Sequence, residues 1–379
     1  MSKVIVLGAG MVGSAIAIDM APKHRITLAD IRQEALARVL KKCPDLATLS
    51  LDLTNSRKLR DTIRNFDLVI HAGPSALGFE TLKNIIEAGK HVVDIAFTPE
   101  NVLELDDLAK EKGVTAIVDC GVAPGMDNII LGYYNEIMQL SDFECLVGGV
   151  PKQRKWPFAY KAPFAPGDVI EEYTRPARYV ENGELVVREP LTDCDYVEFD
   201  RIGTLESFNT DGLRSIIDTL PHIPNRKEKT LRYPGHVEYV RVLKESGFFA
   251  THPIEINGVN ISPLEFTSRI LFDEWRLGED EEEITVFRVT LKGKNAEGVT
   301  EEVVYDMYDE YNTETGTSSM ARTTGYTATA AANLFLDGLF REKGVFPPEL
   351  VGRHRVCFEY FLDYLKERDI HYVKSSRLL

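Results

Sequence analysis

The chain has 379 residues, of which 44% are hydrophobic and 27% are charged, a composition typical of a folded protein with two domains. Its 44 basic and 59 acidic residues give a formal net charge of −15, which argues against binding to nucleic acid or to an anionic membrane. No apolar run approaches the roughly 20 residues of a membrane span. The five scattered cysteines, never spaced as CxxC, favour a reducing compartment and argue against a metal cluster. We therefore expect a cytoplasmic protein without a metal site.

Short apolar runs alternate with amphipathic stretches along residues 1–124. Strands separated by helices of roughly 10–15 residues are typical of βαβ units and of a parallel sheet covered on both faces. We predict six strands and five helices, which make a complete Rossmann-type, doubly wound α/β domain. The predicted strands are KVIVLGAG, RITLAD, ATLSLDL, DLVIHAGP, HVVDIAF and TAIVDCG.

The pattern changes in residues 125–320. Alternating and aromatic-rich runs predict an inserted α+β domain built on an antiparallel sheet, and residues 283–311 read as a hairpin that turns near residues 295–298. The edges of this hairpin are a candidate surface for a homodimer or homotetramer. Residues 321–379 contain two helical stretches, which we expect to return to the dinucleotide-binding domain.

A glycine motif follows the first predicted strand. Gly8, Gly10 and Gly13 form G-x-G-x-x-G, with Met11 and Val12 between the last two glycines. In this context the first glycine permits a tight turn, the second lets the backbone approach a pyrophosphate, and the third allows close helix packing. Backbone N–H groups at the start of the following helix would hold the anion. The motif therefore predicts dinucleotide binding.

Two further segments bear on the cofactor. Asp30 ends the second predicted strand, where a carboxylate accepts both ribose hydroxyls of NAD and repels the 2′-phosphate of NADP. We predict NAD, although Arg32 could receive a 2′-phosphate. Ala72, Gly73 and Pro74 end the fourth strand and are expected to flank the nicotinamide half, with a simple turn as the alternative.

Several longer blocks resemble the saccharopine dehydrogenase-like family over nearly the whole chain. The resemblance implies a Rossmann domain with an inserted α+β domain, an active site between them, and NAD(P)-linked oxidation at the nitrogen-bearing carbon of an amino acid, or the reverse reduction. The blocks are GAGMVG, HVVDIAFTPE, VDCGVAPGMDNII, YKAPFAPGDVIEEYTRPA, LESFNTDGL, TLRYPGHVEYVRVLKESG and ARTTGYTATA.

Within this family, the short chain and its DIAFTPE and TLRYPGH blocks are most similar to the lysine 6-dehydrogenases. That similarity implies NAD-dependent oxidation of the ε-amine of L-lysine, with release of ammonia and closure of the aldehyde to a cyclic imine, piperideine-6-carboxylate. Dehydrogenases that act on saccharopine or carboxynorspermidine are the nearer alternative. A non-catalytic NAD sensor is the more remote one.

Amine oxidation requires a base near the nitrogen, because a protonated ammonium cannot release a hydride. Asp94, at the carboxyl end of the fifth strand, is the first candidate, with a turn or capping carboxylate as its alternative. His236 titrates near neutral pH and lies in the RYPGH block, where it could instead pack between domains. Either side chain could act as the base.

The substrate candidates are mostly basic. Arg232, with Tyr233 beside it, could hold the α-carboxylate, or could form an ion pair between domains. Arg322 at a predicted helix start offers a second anion site. Asp119 follows the sixth strand and could contact substrate or brace its own loop.

Overall fold

The computed structural model describes residues 1–163, 166–278 and 281–379, and its first third alternates strands and helices. Six strands and five α-helices alternate here, so the predicted number of each is confirmed. Two short 3₁₀ helices also occur, at Ser75–Leu77 and Val102–Leu105. The strands and α-helices are β1 (Lys3–Leu7), α1 (Met11–Met20), β2 (Arg25–Asp30), α2 (Gln33–Lys42), β3 (Ala47–Ser50), α3 (Ser56–Ile63), β4 (Leu68–His71), α4 (Gly78–Glu87), β5 (Val92–Asp94), α5 (Asp106–Glu111) and β6 (Thr115–Ile117).

The first sheet is parallel and has the order β3-β2-β1-β4-β5-β6. Its strands are nearly continuous Val, Ile and Leu because helices cover both faces. Gly89 and Gly113 end α4 and α5 with φ of 68° and 63°, the left-handed conformation that favours glycine. The strand order reverses between β1 and β4, where the carboxyl ends of parallel strands open a crevice for a ligand.

The middle of the chain forms a second sheet with several helices packed on it. Two short strands, Ile254–Ile256 and Val259–Ile261, pair only with each other among the strands that the structure describes. The elements are α6 (Met126–Ile137), β7 (Gln139–Pro151), α7 (Pro166–Thr174), β8 (Ala177–Glu181), β9 (Glu184–Arg188), β10 (Asp195–Phe199), β11 (Gly203–Asn209), α8 (Ile216–Thr219), β12 (Asn225–Arg232), α9 (His236–Glu245), β13 (Ile254–Ile256), β14 (Val259–Ile261), α10 (Pro263–Glu274), β15 (Glu283–Lys294) and β16 (Thr300–Glu310).

This second sheet is mixed, which corrects the expectation of an antiparallel sheet. β7 and β12 run parallel, with Cys145 opposite Glu228, while β7 and β15 are antiparallel. The long segment between β7 and β12 carries the chain back to the same end of the sheet, so the two strands can share one direction.

The C-terminal residues contribute to both sheets through α11 (Ser319–Leu336), β17 (Gly344–Phe346), α12 (Pro348–Gly352), α13 (Arg355–Lys366) and β18 (Tyr372–Leu378). α11 packs on α1, and β17 adds a seventh parallel strand beside β6. β18 pairs with β16. The predicted hairpin of β15 and β16 is confirmed, but β7 and β18 occupy its two outer edges, so the expectation of free edges there is wrong. A homodimer or homotetramer stays a prediction. Among the described helices, none combines the length and the apolar character needed to cross a membrane.

Candidate active site

A cavity of about 910 Å³ opens beyond the carboxyl ends of β1, β4, β5 and β6 and reaches the second sheet. One wall comes from the dinucleotide-binding domain and the other from β7, α7, β12 and α11. On the first wall lie Gly8, Gly10, Met11, Val12, Gly13, Asp30, Arg32, Ala72, Gly73, Pro74, Phe97 and Asp119. On the second lie Gly148, Gly149, Glu171, Glu172, Arg175, Thr210, Asp211, Gly212, Glu228, Thr230, Arg232, Met320 and Thr324.

The glycine loop has the geometry of a dinucleotide cradle. Gly8 has φ of 111°, and a Cβ there would lie 2.2 Å from the carbonyl oxygen of Ala72. A Cβ on Gly13 would lie 2.0 Å from the carbonyl oxygen of Gly8, whereas one on Gly10 meets no described atom within 4 Å. The open space is therefore in front of Gly10. Gly10 is the N-cap residue of α1 and has no side chain with which to cap it, so the first N–H groups of α1 remain available to a pyrophosphate.

Asp30 lies at the far end of this cradle. Its carboxylate accepts hydrogen bonds from the backbone N–H of Ala9 and of Arg32, each at 2.8 Å, and from the Arg32 guanidinium at 3.1–3.2 Å. Burial raises the pKa of Asp30, but the hydrogen bonds from Arg32 and Ala9 outweigh it and hold the pKa below its ordinary value. Asp30 therefore stays anionic where a ribose would lie.

Asp94 is buried behind the cavity wall. It is 1% exposed and is not one of the described residues that line the cavity. Its Oδ1 lies 3.0 Å from Nδ1 of His71 and accepts a hydrogen bond from the N–H of Ala96 at 2.8 Å. This geometry matches the alternative interpretation of Asp94 as a turn carboxylate, one that holds the β4 and β5 ends together.

Asp119 reaches the cavity from the end of β6. Its φ of 51° is unusual for a residue with a side chain. Oδ2 accepts a hydrogen bond from Nε of Arg214 at 2.8 Å, and Arg214 also donates to the carbonyl of Thr98 at 2.6 Å and stacks 4.4 Å from the ring centre of Phe97. Asp119 thus links the two domains across the cavity floor.

Arg232 lines the cavity but is already engaged. Its side chain is 2% exposed, and Nη2 donates to Oε2 of Glu172 at 2.6 Å. Other donors reach the carbonyl of Leu231 and the hydroxyls of Tyr160 and Tyr173. Burial opposes the charge on Arg232, yet Tyr160, Tyr173 and Glu172 together raise its pKa. Arg232 is therefore in an ion pair, but the pair lies within the second domain and not between the two domains.

His236 packs in an aromatic cluster and lies outside the described cavity lining. Nδ1 lies 2.9 Å from the carbonyl of Phe158, so Nδ1–H donates there and Nε2 accepts from the hydroxyl of Tyr173 at 2.9 Å. Burial, together with the charge of Arg232, lowers the pKa of His236 to about 3. The ring is therefore neutral at physiological pH.

Tyr233 and Arg322 are also not among the described residues that line the cavity. The hydroxyl of Tyr233 donates to the carbonyl of Pro151 at 3.0 Å. Arg322 is buried and donates to Asp309 at 3.1 Å and to the carbonyl of Arg368 at 3.0 Å. The expected second anion site is thus filled by an internal ion pair.

Glu228 and Arg175 are among the cavity residues that the sequence reasoning missed. Glu228 lies on β12 with Thr230 and Arg232, and side chains two residues apart point to the same face of a strand. The two-residue repeat of side chains along a strand was therefore the available signal. Once Arg232 is placed at the cavity, Thr230 and Glu228 are expected on the same face of β12. Glu228 is 4% exposed, and burial, followed by the nearby charge of Asp127, raises its pKa well above the ordinary value. Such a carboxyl holds a proton more readily than an ordinary glutamate does.

Comparison with known proteins agrees with this architecture. Residues 4–117 match the family model of the saccharopine dehydrogenase NADP-binding domain, and residues 121–370 match that of the saccharopine dehydrogenase C-terminal domain. A carboxyaminopropylagmatine dehydrogenase of Synechocystis is 25% identical, with 92% of each chain covered. An L-glutamate-forming saccharopine dehydrogenase of Saccharomyces cerevisiae is 24% identical, with 91% of this chain and 93% of that chain covered.

A solved structure shows the same fold. The apo form of the L-glutamate-forming saccharopine dehydrogenase from Saccharomyces cerevisiae superposes over 100% of both chains with a TM-score of 0.81 and 19% sequence identity. The glycine cradle, the two-sheet architecture and the two family models thus agree. The chain belongs to the saccharopine dehydrogenase family and is an oxidoreductase with a Rossmann-type pyridine-nucleotide-binding domain.

Proposed function

We propose that the protein oxidises the ε-amine of L-lysine with NAD, releasing ammonia and an aldehyde that closes onto the α-amine as piperideine-6-carboxylate. One observation carries the proposal: a single cavity joins the glycine cradle to a pocket whose arginines already have carboxylate partners. A substrate that enters this pocket meets more unsatisfied negative than positive charge. This favours a basic amino acid.

The charges of the pocket support that choice. Arg232 pairs with Glu172, Arg214 with Asp119, and Arg178 with Asp211. Arg175 pairs with Glu171 one helical turn away. Of these four arginines, Arg175 and Arg232 line the cavity. Saccharopine carries several carboxylates and would need more arginines without partners than these two provide. Lysine brings one carboxylate and two amines.

Arg175 is the better candidate for the single carboxylate of lysine. Its side chain is 23% exposed and its partner Glu171 is 55% exposed, so their ion pair is worth little in water and can be exchanged. Arg232 is held by four groups in the interior, and a substrate carboxylate would have to displace Glu172 from it at 2.6 Å. We therefore assign carboxylate binding to Arg175 and a positioning role to Arg232.

We assign NAD as the cofactor on the basis of Asp30. The anionic carboxylate would accept ribose hydroxyls and repel a 2′-phosphate. Arg32 is 53% exposed but is engaged by that same carboxylate, so it offers little free positive charge. The family model is named for NADP, which makes the two cofactors the first comparison to measure.

The chain's own residues then have distinct tasks. Gly10 and the start of α1 would hold the pyrophosphate, and Asp30 the ribose. The bound nicotinamide supplies the acceptor for a hydride. Asp119, fixed by Arg214, holds the loop after β6 against the substrate side, and the apolar Phe97 beside it limits access of water to the reacting carbon.

A second candidate is a dehydrogenase for a secondary amine that joins a polyamine-like chain to a carboxylated one. The similarity to the carboxyaminopropylagmatine dehydrogenase favours it, and such a substrate is also cationic. The two candidates differ in their products, because only a primary amine releases ammonia when it is oxidised.

The test is an assay of L-lysine, ornithine, saccharopine and polyamine-derived amino acids with NAD and with NADP. NADH formation is followed by absorbance and ammonia is measured in parallel. We expect L-lysine to give equal amounts of NADH and ammonia. NADH without ammonia from a secondary amine would favour the second candidate, and no turnover with cofactor binding intact would favour a sensor.

A further inference from the structure

Glu228 stands apart from the other carboxyl groups on the second wall of the cavity. Asp211, Glu171 and Glu172 on that wall each pair with an arginine, as does Asp119 on the first wall. Oε2 of Glu228 is buried, and no described group donates a hydrogen bond to it. An unsatisfied buried carboxyl costs free energy, so its presence on a ligand cavity points to a partner that arrives with the ligand.

Gly212 leaves room for this carboxyl at the cavity surface. A Cβ on Gly212 would lie 2.1 Å from Oε1 of Glu228, so any other residue there would displace the carboxyl. Gly212 and Glu228 both line the cavity, which places the carboxyl at its wall. A ligand atom can therefore reach it.

Asp127 lies behind Glu228. A carboxyl oxygen of each and the sulfur of Cys145 all lie within 4.8 Å of one another. Oδ1 of Asp127 accepts from the N–H of Gly125 at 2.8 Å at the start of α6, and Oδ2 has no partner among the described groups. The three residues come from α6, β7 and β12, so only the fold brings them together.

Two carboxyl groups this close and this deeply buried share a proton rather than both ionise. Burial is the first cause of the raised pKa of each carboxyl. At Glu228 the charges of Asp127, Asp211 and Glu172 raise the pKa further and Arg214 lowers it. At Asp127 the added charge is that of Glu349. Burial also raises the pKa of Cys145, which keeps the thiol protonated and disfavours a metal-thiolate site. The carboxyl groups of Glu228 and Asp127 therefore hold one shared proton beside the cavity wall.

We propose that Glu228, backed by Asp127, is the group that exchanges a proton with the substrate nitrogen. This rests on the proposed function. In the oxidative direction an N–H bond of the ε-ammonium breaks and its proton forms an O–H bond at Oε2. The freed lone pair then forms the C=N bond as the carbon gives up a hydride, with both its electrons, to the oxidised pyridine nucleotide. Water then adds to the iminium carbon, and ammonia leaves.

The charge of Asp127 would tune this exchange without touching the substrate. A neighbouring negative charge raises the pKa of Glu228 and makes its carboxylate a stronger base. Asp127 is therefore a positioning residue. Replacing it with asparagine removes the repulsion while keeping the acceptor for the N–H of Gly125.

The experiment compares Glu228→Gln, Asp127→Asn and the control Glu283→Gln in the full chain. Glu283 is also buried with a raised pKa and an oxygen that lacks a described partner, but it does not line the described cavity. We expect Glu228→Gln to lower turnover about a hundredfold or more, the usual size of a lost general base. NADH binding, followed by fluorescence, should remain unchanged. Glu283→Gln should turn over as the unaltered protein does.

Asp127→Asn gives a second readout that a structural role would not move. Removing its charge lowers the pKa of Glu228, so the rising limb of kcat/KM against pH should shift to lower pH. Near-normal turnover of Glu228→Gln, or an unshifted limb in Asp127→Asn, overturns the proposal.

If the unaltered protein oxidises no amine in the panel, the proposed function fails separately. Infrared titration then decides the carboxyl assignment. A protonated carboxyl band that is lost in Glu228→Gln and titrates at lower pH in Asp127→Asn supports the shared proton. A band that is unchanged in both variants overturns it.

Discussion

Nδ1 of His71 lies 3.0 Å from Oδ1 of Asp94, and both side chains are buried at the ends of two neighbouring strands. The contact ties β4 to β5 at the edge of the sheet where the cofactor is expected. We therefore expect Asp94→Asn to lower the free energy of unfolding by about 1–3 kcal/mol, as removal of one partner of a buried hydrogen bond does. Turnover at saturating substrate should stay near normal. A fall of about a hundredfold with unchanged stability in urea unfolding would restore Asp94 as the base.

Cofactor preference should depend on Asp30. Asp30→Ala removes the repulsion of a 2′-phosphate and frees the Arg32 guanidinium from its 3.1 Å ion pair. The ratio of kcat/KM for NAD over NADP should fall at least about tenfold, or about 1.4 kcal/mol. Arg32→Ala is the matched control and should leave NAD preferred. Equal use of both cofactors by the unaltered protein would contradict the assignment.

Gly10 and Gly13 should separate cofactor binding from folding. Alanine at position 10 meets open space and an ordinary φ of −72°, so Gly10→Ala should fold normally. It should weaken NADH binding about tenfold or more, because the methyl group fills the path of the pyrophosphate. Gly13→Ala meets the Gly8 carbonyl and should cost about 1–3 kcal/mol of stability. Unchanged NADH affinity in Gly10→Ala would place the dinucleotide elsewhere.

Arg232 and Glu172 call for a double-mutant cycle. Arg232→Met removes the 2.6 Å ion pair with Glu172 and should cost about 3–5 kcal/mol of stability. Adding Glu172→Gln should recover most of that loss and also the KM for lysine, because Arg175 binds the carboxylate. Stability that recovers while KM stays high would show that Arg232 contacts the substrate directly. Chemical denaturation and steady-state kinetics measure the two effects.

His236 should make the protein less stable in acid. Its folded-state pKa of about 3 lies below its ordinary value of 6.5, so the folded state resists the proton that the unfolded chain binds. The contribution to stability is complete above pH 6.5 and is lost as the pH falls, by about 2 kcal/mol at pH 5. His236→Gln should remove this part of the pH dependence. Parallel stability curves for both proteins between pH 7 and 5 would contradict it.

The local sequence pattern was sufficient to predict the strands and helices of the dinucleotide-binding domain. Most of its strands are short runs buried on both faces, and most of its helices have an amphipathic period, so these elements can be recognised without distant residues. β3, which is mostly exposed, and α1, which is mostly apolar, are the exceptions. The clash that requires glycine at position 13 is with the nearby Gly8 carbonyl, whereas the clash at position 8 is with Ala72. The direction of β12 relative to β7 was not available in this way, because the residues between them decide where the chain returns.

The sequence by itself determined the Rossmann domain, the position of the glycine cradle and the family to which the chain is similar. Only the tertiary structure decided which charged groups face the cavity. Arg232, Arg322 and His236 lie in recognisable motifs, but each is engaged by a partner from another part of the chain. Glu228 lies in an unremarkable strand, and its Oε2 has no hydrogen-bond partner among the described groups. Pairing in the folded interior, not residue type or spacing, decides which side chain remains free for chemistry.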